Sequence, residues 1–276
     1  MHSVIEQLQT KDGLKLHTIR WLPEGDIRAI IVLVHGIGEH TGRYTHVAEW
    51  LTDQGYAVYA LDHRGHGRSE GNRVDFDRFT QLVDDLTLYV QQVMSSNPDK
   101  RVFVYGHSMG ALISLLYVLE NQDKLAGWVS SATPLDIDTT QPAFVVTLGT
   151  LLSKVLPKLH LLALDLDALS RDPAVVAAYK DDPLVYTRPT RLRVGAELIA
   201  SARYARAQLS RLMLPIFVIH GAADQVTPPS GSEQIVADAS SEDKTLKLYP
   251  NLYHELHNEP EQQQVLGDIV DWLNAH

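Results

Sequence analysis

The chain has 276 residues, 24 Lys and Arg against 34 Asp and Glu, a formal net charge of −10 and no cysteine. Hydrophobic residues at 45% and charged residues at 21% are those of a folded globule, which argues against disordered and fibrous classes, and an acidic chain without a Lys/Arg stripe gains nothing from counterion release on nucleic acid. The absence of cysteine removes disulfides, thiolate nucleophiles, thiolate-ligated zinc and iron–sulfur clusters, so any chemistry must use oxygen and nitrogen.

The first segment, MHSVIEQLQTKDG, has neither a basic start nor an apolar run of signal-peptide length, so a cytoplasmic location is expected. VIEQLQT and KLHTIRWLP alternate apolar and polar residues around Lys11-Asp12-Gly13, the pattern of a half-buried hairpin. AIIVLVHG (29–36) then reads as a parallel strand covered on both faces, and YAVYALD, RVFVYGH, LAGWVSSA, PIFVIHG and TLKLYP repeat the pattern. Segments of helical period lie between them, over 44–54, 79–94, 109–120, 233–239 and 262–273. Strands alternating with helices predict a mostly parallel sheet wrapped on both sides.

Between 134 and 213 no strand is predicted, and so long an interval between core strands is an insertion, leaving 1–133 and 214–276 as the α/β core. Inside it Phe144, Val145, Leu148, Leu151, Leu152, Val155, Leu156 and Leu159 form an apolar stripe, opposite Thr147, Thr150, Ser153, Lys154 and Lys158. Two readings stand: the stripe packs on the sheet domain, or it belongs to a cap with a greasy face over a binding cleft. Lys154, Pro157, Lys158 and His160 interrupt the apolar run from Ala143 to Leu164, which is wrong for a membrane-spanning helix.

The sharpest local signal is GHSMG (106–110), directly after one predicted strand and directly before a predicted helix. A nucleophilic serine must stand out of its scaffold on a tight turn with small neighbours, and Gly106 and Gly110 supply that room. Ser108 also falls at a helix N-terminus, where free N–H groups favour developing negative charge. A hydroxyl nucleophile needs a base, and the base needs an acid to fix its tautomer. In YHELHNE, His254 and His257 follow a strand and precede a helix, at the same sheet edge as Ser108. His2, His17 and His276 lie near termini or on the opening hairpin, and His46 and His160 in helical stretches. Asp224, in GAADQVTPP beyond PIFVIHG, is the candidate acid, with an Asx-turn role as its plain alternative.

Taken together, HGIGEHTGRY (35–44), LDHRGHGRS (61–69), GHSMGA (106–111), YKDDPL (179–184), GAADQVTPP (221–229) and DKTLKLYPNLYHELHNE (243–259) resemble an α/β-hydrolase of the monoacylglycerol lipase and lysophospholipase branch, over nearly the whole chain. The resemblance implies the α/β-hydrolase fold, a mostly parallel central sheet flanked by helices with a helical cap insertion. It implies Ser108 as nucleophile, Asp224 as acid and His254 as base, with an oxyanion hole from the N–H groups of Ile37 and Met109. It further implies that Glu39, Arg43, His107, Tyr179 and His257 surround the alcohol end of the substrate, although ion pairs or buried hydrogen bonds account for these residues equally well. Asp62 and the glycines of HRGHGRSEG are assigned to loop structure. The expected reaction is hydrolysis of monoacylglycerol to glycerol and fatty acid without cofactor or metal. Lysophospholipid hydrolysis, short-chain carboxylesterase activity and a non-catalytic ligand-binding module are the alternatives. The expected partner is a small amphiphilic ester, with at most transient membrane-surface contact through the cap and no nucleic acid.

Overall fold

A computed structural model describes residues 1–140 and 142–276, and of Leu162 the backbone. The hairpin β1 (His2–Gln9) and β2 (Lys15–Leu22) turns at Gly13, whose φ of +92° no side chain would favour. Helix α1 (Thr45–Asp53) follows β3 (Ala29–Val34), α2 (Thr80–Ser96) follows β4 (Tyr56–Leu61), and α3 (Met109–Asn121) follows β5 (Val102–His107). After β6 (Gly127–Ser131) come α4 (Ala143–Val155), β7 (His160–Leu162), α5 (Pro173–Asp181), β8 (Thr190–Arg191) and α6 (Leu192–Arg206). The chain closes with β9 (Ile216–Gly221), α7 (Ser230–Asp238), β10 (Lys244–Tyr249) and α8 (Gln262–Ala275).

Eight strands form one sheet in the order β1-β2-β4-β3-β5-β6-β9-β10. It is parallel from β4 to β10, and β2 pairs antiparallel with both β1 and β4. Because successive side chains point to opposite faces, Ile30, Val32 and Val34 of β3 join one core with α2, α3 and α6, while Ala29, Ile31 and Leu33 join the other with α1 and α8. Both faces are covered, which is why the central strands read as continuous apolar runs. The loops after β3, β5, β9 and β10 all leave the carboxyl edge of the sheet, where ligands of open α/β sheets bind.

The interval between β6 and β9 departs from expectation in three ways. It contains strands: β7 and β8 pair antiparallel, His160 opposite Arg191, a ribbon too short for alternation to register in the sequence. His160 is accordingly on a strand, not a helix. The apolar stripe of α4 does not pack on the sheet domain: Phe144 is 73% and Val155 77% exposed, and Val145, Leu148, Leu151, Leu156 and Leu159 are exposed with them. Helix α4 lies against α6, and the residues it withdraws from solvent are Val146, Gly149, Thr150, Leu152 and Ser153, which take in Thr150 and Ser153 of the face predicted to be polar and only Leu152 of the apolar stripe. No described helix is long and apolar enough to cross a membrane.

Candidate active site

Ser108 sits on the turn between β5 and α3 with φ +52° and ψ −124°, a conformation that costs a side-chain-bearing residue roughly 1–3 kcal/mol. The surroundings enforce it. A Cβ on Gly106 would meet Ser114 Oγ at 2.3 Å, and one on Gly110 would meet the Val34 carbonyl at 2.1 Å, so the helix can start this close to β3 only with glycine there. The Ser108 N–H donates to the Ser131 carbonyl at 2.9 Å, tying the turn to β6.

Two loops from the same sheet edge meet this serine. Asp224, beyond β9, accepts a bond from His254 Nδ1 at 2.8 Å, and His254 Nε2 lies 2.9 Å from Ser108 Oγ. A carboxylate only accepts, so the Nδ1 proton faces Asp224 and the Nε2 lone pair faces the serine hydroxyl. Burial pulls the His254 pKa down, but the charge and hydrogen bond of Asp224 outweigh it, and the imidazole lies above its ordinary 6.5. Asp224 is held far below the usual carboxylate range: burial opposes ionisation, and His254 and His220 overcome it. Its Oδ1 accepts the N–H groups of Val226 at 2.7 Å and Thr227 at 3.0 Å. The Asx turn and the bond to His254 are therefore two uses of one carboxylate.

Ile37 and Met109 line the same cavity as Ser108, and neither N–H finds an acceptor among the described residues. The loop that carries Ile37 is locked from behind. His63 donates its backbone N–H to His35 Nε2 at 3.0 Å and its ring Nε2–H to the His35 carbonyl at 3.0 Å, and His35 Nδ1 donates to the Gly36 carbonyl at 2.8 Å. Asp62 accepts from the Thr41 N–H at 2.8 Å and the Arg68 N–H at 2.8 Å, closing the HRGHGRS loop over it.

The residues assigned to the alcohol end occupy two places. Tyr179 lines the cavity; Glu39, Arg43, His107 and His257 do not. Arg43 donates to Glu39 at 2.7 Å and in bidentate fashion to Glu255 at 2.7 and 2.6 Å, with its guanidinium 4.5 Å from the Tyr179 ring centre. Burial would raise the Glu255 carboxyl, but Arg43 brings it below its ordinary value. His257 stacks on Tyr44 with ring centres 4.6 Å apart, and His107 is 4.9 Å from both His254 and His257. Burial holds His107 and His257 well below 6.5, so both are neutral.

The cavity over Ser108 has a volume of about 280 Å³. Its walls are mainly apolar, from Ile37, Met109, Ile137, Val146, Leu164, Leu166, Leu198 and Ile199, and Arg188 is the single charged wall residue among the described residues. Sequence reasoning missed Arg188, Thr227, Glu255 and His220. The three-residue step from Asp224 to Thr227 was a readable signal for an Asx turn; nothing local marks the others. Among the described residues no cluster of three His, Asp or Glu is arranged to hold a metal ion.

Residues 25–261 match the protein family described as serine aminopeptidase, S33. The chain is 39% identical over 264 residues to a monoacylglycerol lipase of Mycolicibacterium smegmatis, covering 96% of this chain and 94% of that one. It is 35% identical over 274 residues to the monoglyceride lipase of Homo sapiens, covering 98% and 90%. Among solved structures, the monoacylglycerol lipase of Paleococcus ferrophilus matches with a TM-score of 0.81 at 32% identity, covering 100% of each chain.

Proposed function

The chain belongs to the serine aminopeptidase S33 family and is a carboxylic ester hydrolase, and on that premise we propose that it cleaves monoacylglycerols to glycerol and free fatty acid. The observation that carries the reading is the unbroken line from Asp224 through His254 to Ser108, 2.8 and 2.9 Å long, opening into a mainly apolar cavity of about 280 Å³. Such a cavity suits an acyl chain on a compact head better than a polar metabolite.

In the proposed reaction Ser108 Oγ attacks the acyl carbonyl while His254 Nε2 takes its proton, and the Ile37 and Met109 N–H groups hold the oxyanion. His254 returns the proton to the departing glycerol oxygen, leaving the acyl group on Ser108. A water molecule activated by His254 then releases the fatty acid. Each oxyanion donor is worth about 10²–10³ in kcat. Residues 134–213 are assigned as a cap over this site, a reading supported by Ile137, Val146, Leu164, Tyr179 and Leu198 among the cavity walls. The exposed apolar face of α4 is assigned to transient contact with the lipid aggregate that supplies the substrate.

One observation favours a second reading, lysophospholipid hydrolysis. Arg188 is exposed on the cavity wall and has no ion-pair or hydrogen-bond partner among the described residues, whereas Arg171, Arg191, Arg193, Arg203 and Arg206 each hold a carboxylate. Release of fatty acid from monoacylglycerol, lysophosphatidylcholine, triacylglycerol and short p-nitrophenyl esters, with Ser108→Ala beside the native protein, tests both. Preference for monoacylglycerol, abolished in Ser108→Ala, is the expected result. Activity on short esters alone would discard the lipid substrate and keep the nucleophile.

A further inference from the structure

His220 is fully buried at the end of β9, four residues before Asp224, and the reaction described above gives it no part. Its contacts fix which ring nitrogen points at an acceptor. Nε2 lies 3.1 Å from Asp224 Oδ2 and 3.1 Å from the Thr227 carbonyl, both pure acceptors, so Nε2 carries the proton. Nδ1 then accepts the hydroxyl of Ser232, at 2.7 Å in the first turn of α7. The chain of donors therefore runs Ser232, His220, Asp224, where it meets the His254 bond on the same oxygen, Oδ2.

That shared oxygen matters. The two carboxylate oxygens turn together about the Cβ–Cγ bond, so its rotation is held jointly by the backbone N–H groups on Oδ1 and by the partners of Oδ2: His254 Nδ1, the Thr227 hydroxyl at 2.9 Å and His220 Nε2. We propose that His220, with its ring held at Nδ1 by the Ser232 hydroxyl, is a positioning residue for the ester hydrolysis, holding Asp224 Oδ2 in line with His254 Nδ1. No proton passes through His220; it donates the same hydrogen throughout the cycle. Without it Oδ2 loses one fixed donor on a side chain that is fully buried, and the rotation of the carboxylate is held less tightly. His254 then spends less time with Nε2 aimed at Ser108, which lowers the rate of attack without changing how the substrate is held.

The inference rests on the assignment of Ser108, Asp224 and His254 as the catalytic group, and Ser108→Ala, assayed in parallel, separates the two: an active Ser108→Ala sinks that assignment, whatever His220 does. The test compares His220→Leu with His220→Gln, whose side-chain amide can reach Asp224 where Nε2–H does, each assayed per mole of folded protein with melting temperature recorded. His220→Leu is expected to lower kcat on monoacylglycerol by at least about tenfold, short of the ~10⁴ seen for a lost triad acid, with KM within about twofold. His220→Gln is expected to recover most of that loss. The downfield proton resonance of His254 Nδ1–H should weaken in His220→Leu and return in His220→Gln. A folded His220→Leu with native kcat overturns the proposal, as does a kcat loss that His220→Gln fails to rescue. If His220→Leu does not fold, Ser232→Ala decides: a fall in kcat of about threefold or more at constant KM upholds the proposal, and an unchanged kcat overturns it.

Discussion

The Gly36 N–H donates to Glu39 Oε1 at 2.6 Å, so of the two amides at this turn only that of Ile37 is left for a reacting carbonyl. Glu39 Oε1 also accepts the Tyr44 hydroxyl at 2.7 Å, and Oε2 accepts Arg43. Its acceptor capacity is spent on the loop rather than on a ligand. Gly36 is tight besides: a Cβ there would lie 2.8 Å from Glu39 Oε1 and 3.3 Å from Ser108 Cβ.

Glu39→Ala is therefore expected to act on kcat. Releasing the loop costs alignment of the Ile37 donor, so kcat should fall by up to the roughly 10²-fold worth of one oxyanion contact, with KM nearly constant. Steady-state kinetics on monoacylglycerol decide the matter. A raised KM at constant kcat would return Glu39 to the substrate-binding role that the resemblance implied.

How much of this was legible is set by distance along the chain. Ser108 stands out because a strained turn needs Gly106 and Gly110 beside it, and such backbone demands leave a local mark. Asp224 and His254 could be placed beside Ser108 because strand ends are legible and the carboxyl edge is shared. The pairing of Arg43 with Glu255 joins residues 212 positions apart, and neither side chain announces its partner. For α4 the period told which residues share an apolar face, but not whether that face turns inward. Propensity has no term for that choice, because it depends on what α6 offers across the contact.

The pH dependence of catalysis follows from His254. In the proposed mechanism only the neutral imidazole can take the serine proton, and Asp224 raises its pKa above 6.5. The acid limb of kcat/KM should thus have its midpoint above 6.5 in the free enzyme. Asp224→Asn presents an amide donor to Nδ1, inverts the tautomer and should cost about 10⁴ in kcat. A loss of less than tenfold would exclude Asp224 as the orienting acid.

Acid should also unfold the protein early. Burial depresses the pKa values of His35, His63, His107 and His257 well below 6.5, and that of His66 to about 4. The unfolded chain binds these protons more readily, so their contribution is fully present above 6.5 and is lost as pH falls toward each folded value. Each group removes up to about 1.4 kcal/mol per pH unit in that window. His254 runs the other way, its pKa being raised, but it is one group against several. Melting temperature is expected to drop steeply between about pH 6 and 5 and to be nearly flat above about pH 7; a flat profile through both intervals would mean that the buried imidazoles protonate in place.

Arg188 offers a direct probe of head-group charge. It is exposed, so a phosphate held by it is worth about 1 kcal/mol, roughly fivefold in kcat/KM. Arg188→Met should lower turnover of a lysophosphatidic acid by that factor and leave the monoacylglycerol of equal chain length unchanged. Equal effects on both substrates would mean that the guanidinium supports the wall of the cavity instead of reading charge.

The outward face of α4 separates lipid contact from chemistry. Phe144, Leu148 and Val155 are 73%, 54% and 77% exposed, so replacing all three with Ser removes little packing and should shift stability by less than about 0.5 kcal/mol each. In the proposed lipid contact the attraction these side chains would supply is apolar area, and a net charge of −10 on the chain disfavours anionic bilayers. The triple variant is therefore expected to lose activity on monoacylglycerol dispersed in neutral phosphatidylcholine vesicles, and to keep native kcat/KM on a monomeric short-chain p-nitrophenyl ester. The loss should be insensitive to salt, since screening acts on charges and not on buried hydrocarbon. Parallel losses on both substrates would place these residues in the support of the catalytic cavity, and native activity on vesicles would remove the α4 face from substrate capture.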